Sequence, residues 1–141
     1  MIKLFIHILL FTMFSSPVTE ELSIVVRNIY PVEGKLYFAL YDDKESFLEI
    51  DEASHYKIVE VNDTIQTIMF DGLEKGNYAV TIFQDLNGNG LLDKNLFGMP
   101  TEPYGFSNDA RGRMGPPKFR DAVFSFSGSE KIEINLINDN Q

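Results

Sequence analysis

From residue 22 onward the chain alternates apolar and polar positions with a period of two, the signature of strands that bury one face. Leu22, Ile24 and Val26 define the first such run. Leu36, Phe38 and Leu40 form one face of the second, with Tyr37, Ala39 and Tyr41 on the other. Tyr56, Ile58 and Glu60 against Lys57, Val59 and Val61 predict a third, weaker strand. A fourth, Ile65, Thr67 and Met69 against Gln66, Ile68 and Phe70, follows a tight turn at Asn62-Asp63. The fifth sets Tyr78, Val80 and Ile82 against Ala79, Thr81 and Phe83. Residues 122–126 and 131–136 predict a closing hairpin across 127–130, with Ile132, Ile134 and Leu136 facing inward. The one stretch that predicts a helical turn is 44–53.

About seven short strands separated by turn signals predict an all-β fold, an immunoglobulin-like or transthyretin-like β-sandwich. Asp71-Gly72-Leu73-Glu74-Lys75-Gly76-Asn77-Tyr78 has the form of a tyrosine corner. In that motif a Leu docks in the core, a Gly permits the reversal and the Tyr hydroxyl returns to upstream backbone. A long excursion, residues 85–121, then separates the fifth strand from the C-terminal pair. Loops of that length are uncommon in compact domains unless functional or ordered by something.

Residues 1–19 carry a different pattern. Lys3 precedes an apolar run that ends at small and polar residues, Ser15, Ser16 and Thr19. The run is shorter than the ~18 apolar residues of a membrane span and fits a signal peptide. The expectation is therefore a leader over 1–19, a single domain over 20–141 in the periplasm or outside the cell, and no stable membrane span once the leader is removed. The charge is −9, from 12 basic and 21 acidic residues, and loss of Lys3 makes the mature chain one unit more negative. That balance argues against nucleic acid as a partner. With no cysteine, disulfides, thiol catalysis and thiolate zinc sites are excluded. Stability must then come from packing or from a bound ion.

The excursion opens with Asp85-Leu86-Asn87-Gly88-Asn89-Gly90-Leu91-Leu92-Asp93, the first nine positions of an EF-hand-type calcium loop. Alternate residues of a tightly wound loop can converge oxygens on a hard cation, with a Gly at the sixth position for the sharp turn. The expected ligands are the side chains of Asp85, Asn87, Asn89 and Asp93 and the backbone carbonyl of Leu91. Position twelve is Leu96 where a helical calcium loop carries a bidentate Glu, so the loop is not a full EF-hand. A third carboxylate must come from farther along, with Glu102 ranked ahead of Asp109 and Asp121. So few charges imply weak binding, roughly 0.1–1 mM. The competing account is that these side chains hold their own turns through local hydrogen bonds.

Downstream, Phe97-Gly98-Met99-Pro100-Thr101-Glu102-Pro103-Tyr104-Gly105-Phe106-Ser107-Asn108 is dense in aromatics, Pro and Gly. Tyr104 and Phe106 are candidates for a ligand surface, or for a lid that buries its rings over one end of the sandwich. Arg111, Arg113, Lys118 and Arg120 form either an anion-binding patch or a local neutralisation of the acidic loop.

At these residues the chain resembles an exported bacterial family, domain of unknown function family 2141. The resemblance runs through Gly34-Lys35-Leu36-Tyr37-Phe38-Ala39-Leu40-Tyr41-Asp42, then Gly76-Asn77-Tyr78-Ala79-Val80 leading into residues 85–93. It continues through residues 98–108 and Gly115-Pro116-Pro117-Lys118-Phe119-Arg120-Asp121-Ala122. Pro103 stands where the family pattern calls for Gly before the Tyr. The resemblance implies export, a small β-rich domain and no established activity.

Catalysis finds little support in the residues. No G-x-S-x-G, P-loop or H-E-x-x-H motif occurs, and beyond the leader His55 is the sole histidine. A carboxylate pair such as Glu102 with Asp121 could serve a glycosidase only if the fold brought the two together. The Asn62-Asp63-Thr64 sequon has meaning only in a eukaryotic secretory pathway. The leading expectation is a non-enzymatic binding or accessory module with a calcium-organised loop, its partner a small molecule, glycan or protein. The alternatives are a metal-dependent hydrolase built on the same loop, and a carbohydrate-binding module using Tyr104 and Phe106.

Overall fold

The computed structural model describes residues 20–139; the leader expected at 1–19 lies outside them. Eight strands fold into two sheets: β1 (Glu21–Arg27), β2 (Lys35–Tyr41), β3 (His55–Glu60), β4 (Gln66–Asp71), β5 (Gly76–Asp85), β6 (Tyr104–Phe106), β7 (Phe124–Phe126) and β8 (Ser129–Asn135). The smaller sheet has the order β4-β1-β8 and the larger β3-β2-β5-β6, with β7 paired to the first residues of β5. Among the described residues no helix is long and apolar enough to cross a membrane.

The core lies between the sheets and is built from the alternation read in the sequence. Leu22, Ile24 and Val26 of β1, Leu36, Phe38 and Leu40 of β2, Val80 and Ile82 of β5, and Ile134 of β8 all pack into one cluster. Burial of each such side chain contributes about 1.5–3 kcal/mol, which supplies the packing that a chain without disulfides requires. The tyrosine corner forms: Leu73 is buried, Gly72 takes φ +73°, and the Tyr78 hydroxyl donates to the Glu74 carbonyl at 2.9 Å.

One local expectation is corrected and two are extended. The C-terminal strands do not form a hairpin: β7 pairs antiparallel with β5 and β8 pairs parallel with β1, so they belong to different sheets. Gly128 at φ +120° lets the chain cross between the layers, and the inward set of Ile132, Ile134 and Leu136 is retained because β8 still presents that face to the core. The turn at Asn62-Asp63 likewise passes between layers, since β3 pairs with β2 and β4 with β1. There the Gln66 side chain accepts from the Asn62 and Asp63 N–H groups and so replaces ladder partners with a local brace. Helical turns occur at Ile50–Glu52, within the expected stretch, and also at Ser107–Asp109 and at α1 (Phe119–Ala122). The latter two are too short for any periodicity to be visible in the sequence.

The outer face of the larger sheet is not simply solvated. At the Tyr41 end, Ala79, Phe106, Ala110 and Ala122 form a second buried cluster with Phe47, Tyr104 and Phe119 against it. Buried Ser107 fastens this cover, accepting from the Val80 N–H at 2.9 Å and donating to the Ala122 carbonyl. Asp109 accepts from the Asn135 N–H at 2.8 Å and its side-chain amide at 2.7 Å, which caps part of the β8 edge.

Candidate functional site

Because β6 returns to the sheet at Tyr104, the long excursion divides into two loops, and the first holds all the expected ion ligands. It leaves the end of β5 at Asp85, which is buried and turned under the loop. One Asp85 oxygen accepts from the Gly88 N–H at 2.7 Å and the other from the Gly90 N–H at 2.8 Å. Gly88 and Gly90 sit at φ +76° and +74°, the left-handed region that Gly enters without steric cost. Asn87 Oδ1 accepts from the Asn89 N–H, and Asn89 Oδ1 from the Leu91 N–H. The side-chain amides of both Asn residues turn to the Asp93 carboxylate. Asn87, Asn89 and Asp93 thus meet above a turn that Asp85 supports from below, with the amide nitrogens toward the carboxylate and the amide oxygens toward loop N–H groups.

Glu102 reaches the loop, but its oxygens are engaged differently from the expectation. Oε1 accepts from the Leu86 N–H at 2.8 Å and Oε2 from the Asp93 N–H at 3.1 Å. With its carboxyl group buried, Glu102 joins the first and last residues of the turn through the backbone. Its partner in the glycosidase reading, Asp121, belongs to a separate set, accepting from the Lys118 N–H and pairing with Arg120. Asp109 is occupied by Asn135.

The donor set accordingly fits a hard cation only in part. Among the described residues no three Asp, Glu, His or Cys side chains are grouped to hold a metal ion. An ion here would rely on Asn87 and Asn89 amide oxygens, the Leu91 carbonyl, Asp93 and Asp85. Each amide oxygen has two lone pairs, so it can keep its N–H partner and still face a cation.

Beside the loop lies an aromatic row that strand periodicity alone does not single out. Register places Ile58, Tyr37, Phe83 and Tyr104 opposite one another across β3, β2, β5 and β6. Tyr37 and Phe83 stack with centroids 4.8 Å apart, and Tyr56 meets Tyr37 edge-on at 6.2 Å. Tyr56 and Ile58 are exposed. A Cβ on Gly90 would lie 3.6 Å from the Tyr37 hydroxyl, so the loop abuts this row directly. Partial burial pushes the phenols of Tyr56 and Tyr104 up from their ordinary value. Tyr104 remains half-buried, whereas Phe106 is buried under the second loop. Phe106 is thus no platform: its side chain covers the sheet because its register partner is Thr81, at the middle of that face.

The basic residues do not gather into one patch. Arg111 lines an open groove with Arg27, Tyr30 and Asp139, while Lys118 and Arg120 flank a depression floored by Phe47 and Phe119. Arg113 is exposed.

No curated protein and no solved structure matches the chain. A family model does match, over residues 24–134, which takes in both sheets and the whole of the loop region. The chain belongs to the DUF2141 family, described as uncharacterised proteins conserved in bacteria.

Proposed function

We propose that this is an exported, non-catalytic binding module whose 85–93 loop is completed by a calcium ion and forms one wall of a ligand surface. The observation that carries the reading is the convergence of Asn87 and Asn89 on Asp93 above the Asp85 turn. The amide nitrogens of Asn87 and Asn89 face Asp93 and their oxygens face loop N–H groups, so the reading draws on the second lone pairs of those oxygens for a cation that tolerates irregular, oxygen-only coordination. Two carboxylates keep affinity low, and calcium at about ten times its dissociation constant would add about 1.4 kcal/mol to stability. A calcium titration of the 20–141 domain, read by melting temperature, is expected to show a saturable rise that magnesium does not reproduce. Asp93→Asn is expected to abolish the rise while leaving the calcium-free melting temperature within a few degrees. Asp85→Ala abolishes it too, but also removes the acceptor for two loop N–H groups, which makes it the less clean variant. A rise that survives in Asp93→Asn refutes the ion assignment.

The aromatic row favours a carbohydrate ligand as the second reading, on different residues from those the sequence suggested. Exposed Tyr56 and Ile58 adjoin the Tyr37–Phe83 stack, and the Asn-rich loop stands at its edge to bond hydroxyl groups. Several ring surfaces, beside the exposed Lys35–Glu60 ion pair, suit a neutral polyhydroxylated ligand. Tyr56→Ala is expected to weaken binding to immobilised polysaccharides at least tenfold, measured by affinity electrophoresis. Retention unchanged by Tyr56→Ala, or none on any polysaccharide, rejects this reading.

A further inference from the structure

The end of the first loop, residues 94–100, takes no part in the ion loop or the aromatic row, yet it presents the most conspicuous apolar feature of the surface. Leu96 and Phe97 are adjacent and 102% and 91% exposed, with Met99 at 51% beside them. Side chains so bare stand clear of the rest of the protein, forming a knob. The backbone beneath is tightly organised. Lys94 and Pro100 form an antiparallel bridge, the Asn95 N–H donates to the Met99 carbonyl and the Gly98 N–H to the Asn95 carbonyl, each at 2.9 Å. The Asn95 side-chain oxygen accepts from the Phe97 and Met99 N–H groups at 2.9 and 3.1 Å.

We propose that this tip seats the protein on a phospholipid bilayer, with Leu96 and Phe97 inserted into the interfacial layer. Three features select lipid as the occupant. First, four of the five N–H groups of residues 95–99 already have partners inside the loop, which leaves that of Leu96 alone to find an acceptor among the lipid headgroups. Second, the tip carries no carboxylate, although the chain has 21 acidic residues. The neighbouring acids, Asp93 and Glu102, are turned to loop amides and backbone N–H groups. Its one charge, Lys94, sits at the base, where a long cationic side chain can reach the headgroups. Third, a convex knob needs a shaped socket on a protein partner, but none in a bilayer, which admits apolar side chains to a depth of about 5–10 Å.

The hydrogen bonds of the tip do not pass through the ion ligands' side chains, so the proposal stands apart from the calcium reading and is tested in chelator. Flotation of the 20–141 domain with phosphatidylcholine vesicles is expected to bring the protein up with the lipid. Binding should persist at high salt, because it is apolar. Vesicles containing phosphatidylglycerol should bind more weakly at low salt, because the chain is acidic. Leu96→Ser and Phe97→Ser are each expected to lower the partition coefficient about tenfold, and the pair about a hundredfold. Both positions are exposed, so the melting temperature serves as the control for folding. Wild-type protein that stays unbound at millimolar lipid, or a double variant that floats equally well, overturns the proposal. So does self-association in sedimentation that the double variant loses while vesicles capture nothing, since the knob would then seat in a second copy.

Discussion

Gly34→Ala is expected to destabilise the domain by about 3–5 kcal/mol, among the largest effects of any single methyl group added to this chain. Gly34 precedes β2 and holds φ +76°, a region that costs an L-residue about 1–2 kcal/mol. The larger part is steric. A Cβ there would lie 2.1 Å from the Asp85 carbonyl oxygen, 3.1 Å from its carbon and 3.3 Å from the Leu86 Cα. All three are backbone atoms of the strand end from which the loop springs, so relief requires moving the strand itself. Lys35 pairs with Asp85 in the β2–β5 ladder, and the Gly34 carbonyl accepts from the Val61 N–H at 3.0 Å; both bonds are strained by that movement. Gly72→Ala isolates the two contributions. Its φ is +73°, but nothing lies within 4 Å of an added Cβ, so only the conformational cost applies, about 1–2 kcal/mol. Urea denaturation of both variants is the measurement. Equal losses would show that the approach of Gly34 to Asp85 is not a close contact in solution.

The difference between those glycines marks how far the sequence alone reaches. Alternation locates β1 to β5, the stretches that hold β7 and β8, and the inward residues of β8, because a half-buried strand must place apolar side chains at every second position. It could not assign partners. Whether 122–126 pairs with 131–136 or with β5 depends on where Gly128 sends the chain, and both outcomes keep Ile132, Ile134 and Leu136 on the core face. β6 was hidden for a related reason: three residues, Tyr104, Gly105 and Phe106, are too few to display a period. The loop is legible as one unit, but Asp, Asn and Gly at alternate positions serve equally for cation ligands and for side chains turned to backbone, and spacing alone does not choose between them. What the spacing did not specify is the role of Glu102. A carboxylate that bonds two N–H groups and one that faces a cation look alike in a sequence, and only the positions of Leu86 and Asp93 separate them. In the sequence Tyr37, Phe83 and Tyr56 are ordinary strand residues. Their assembly into a row is a matter of register between strands, which no single strand encodes.

Glu102→Ala is expected to open the first loop while leaving the sandwich folded, at a cost of about 3–4 kcal/mol. Each charge-assisted hydrogen bond from a carboxylate to a backbone N–H contributes roughly 1.5–3 kcal/mol, and removing the acceptor also strands its donor. Here one side chain serves two donors, Leu86 and Asp93, at the start and finish of the turn. Replacement by Ala frees both at once. Glu102→Gln keeps one acceptor oxygen but turns an NH2 group toward the other N–H, so about half the loss is expected. The β5–β6 ladder should survive, because Thr81 to Phe83 pair with Tyr104 to Phe106 through backbone alone and the Gln84 N–H still reaches the Pro103 carbonyl at 2.8 Å. Hydrogen exchange resolves the two regions: the Leu86 and Asp93 amides should lose protection by a factor of a hundred or more, while those of β5 change little. The same variant separates a brace from a ligand. As a brace, Glu102 is replaceable, and saturating calcium should recover part of the lost protection by drawing Asn87, Asn89 and Asp93 together again. Were Glu102 instead to supply an oxygen to the ion, calcium would restore nothing in Glu102→Ala.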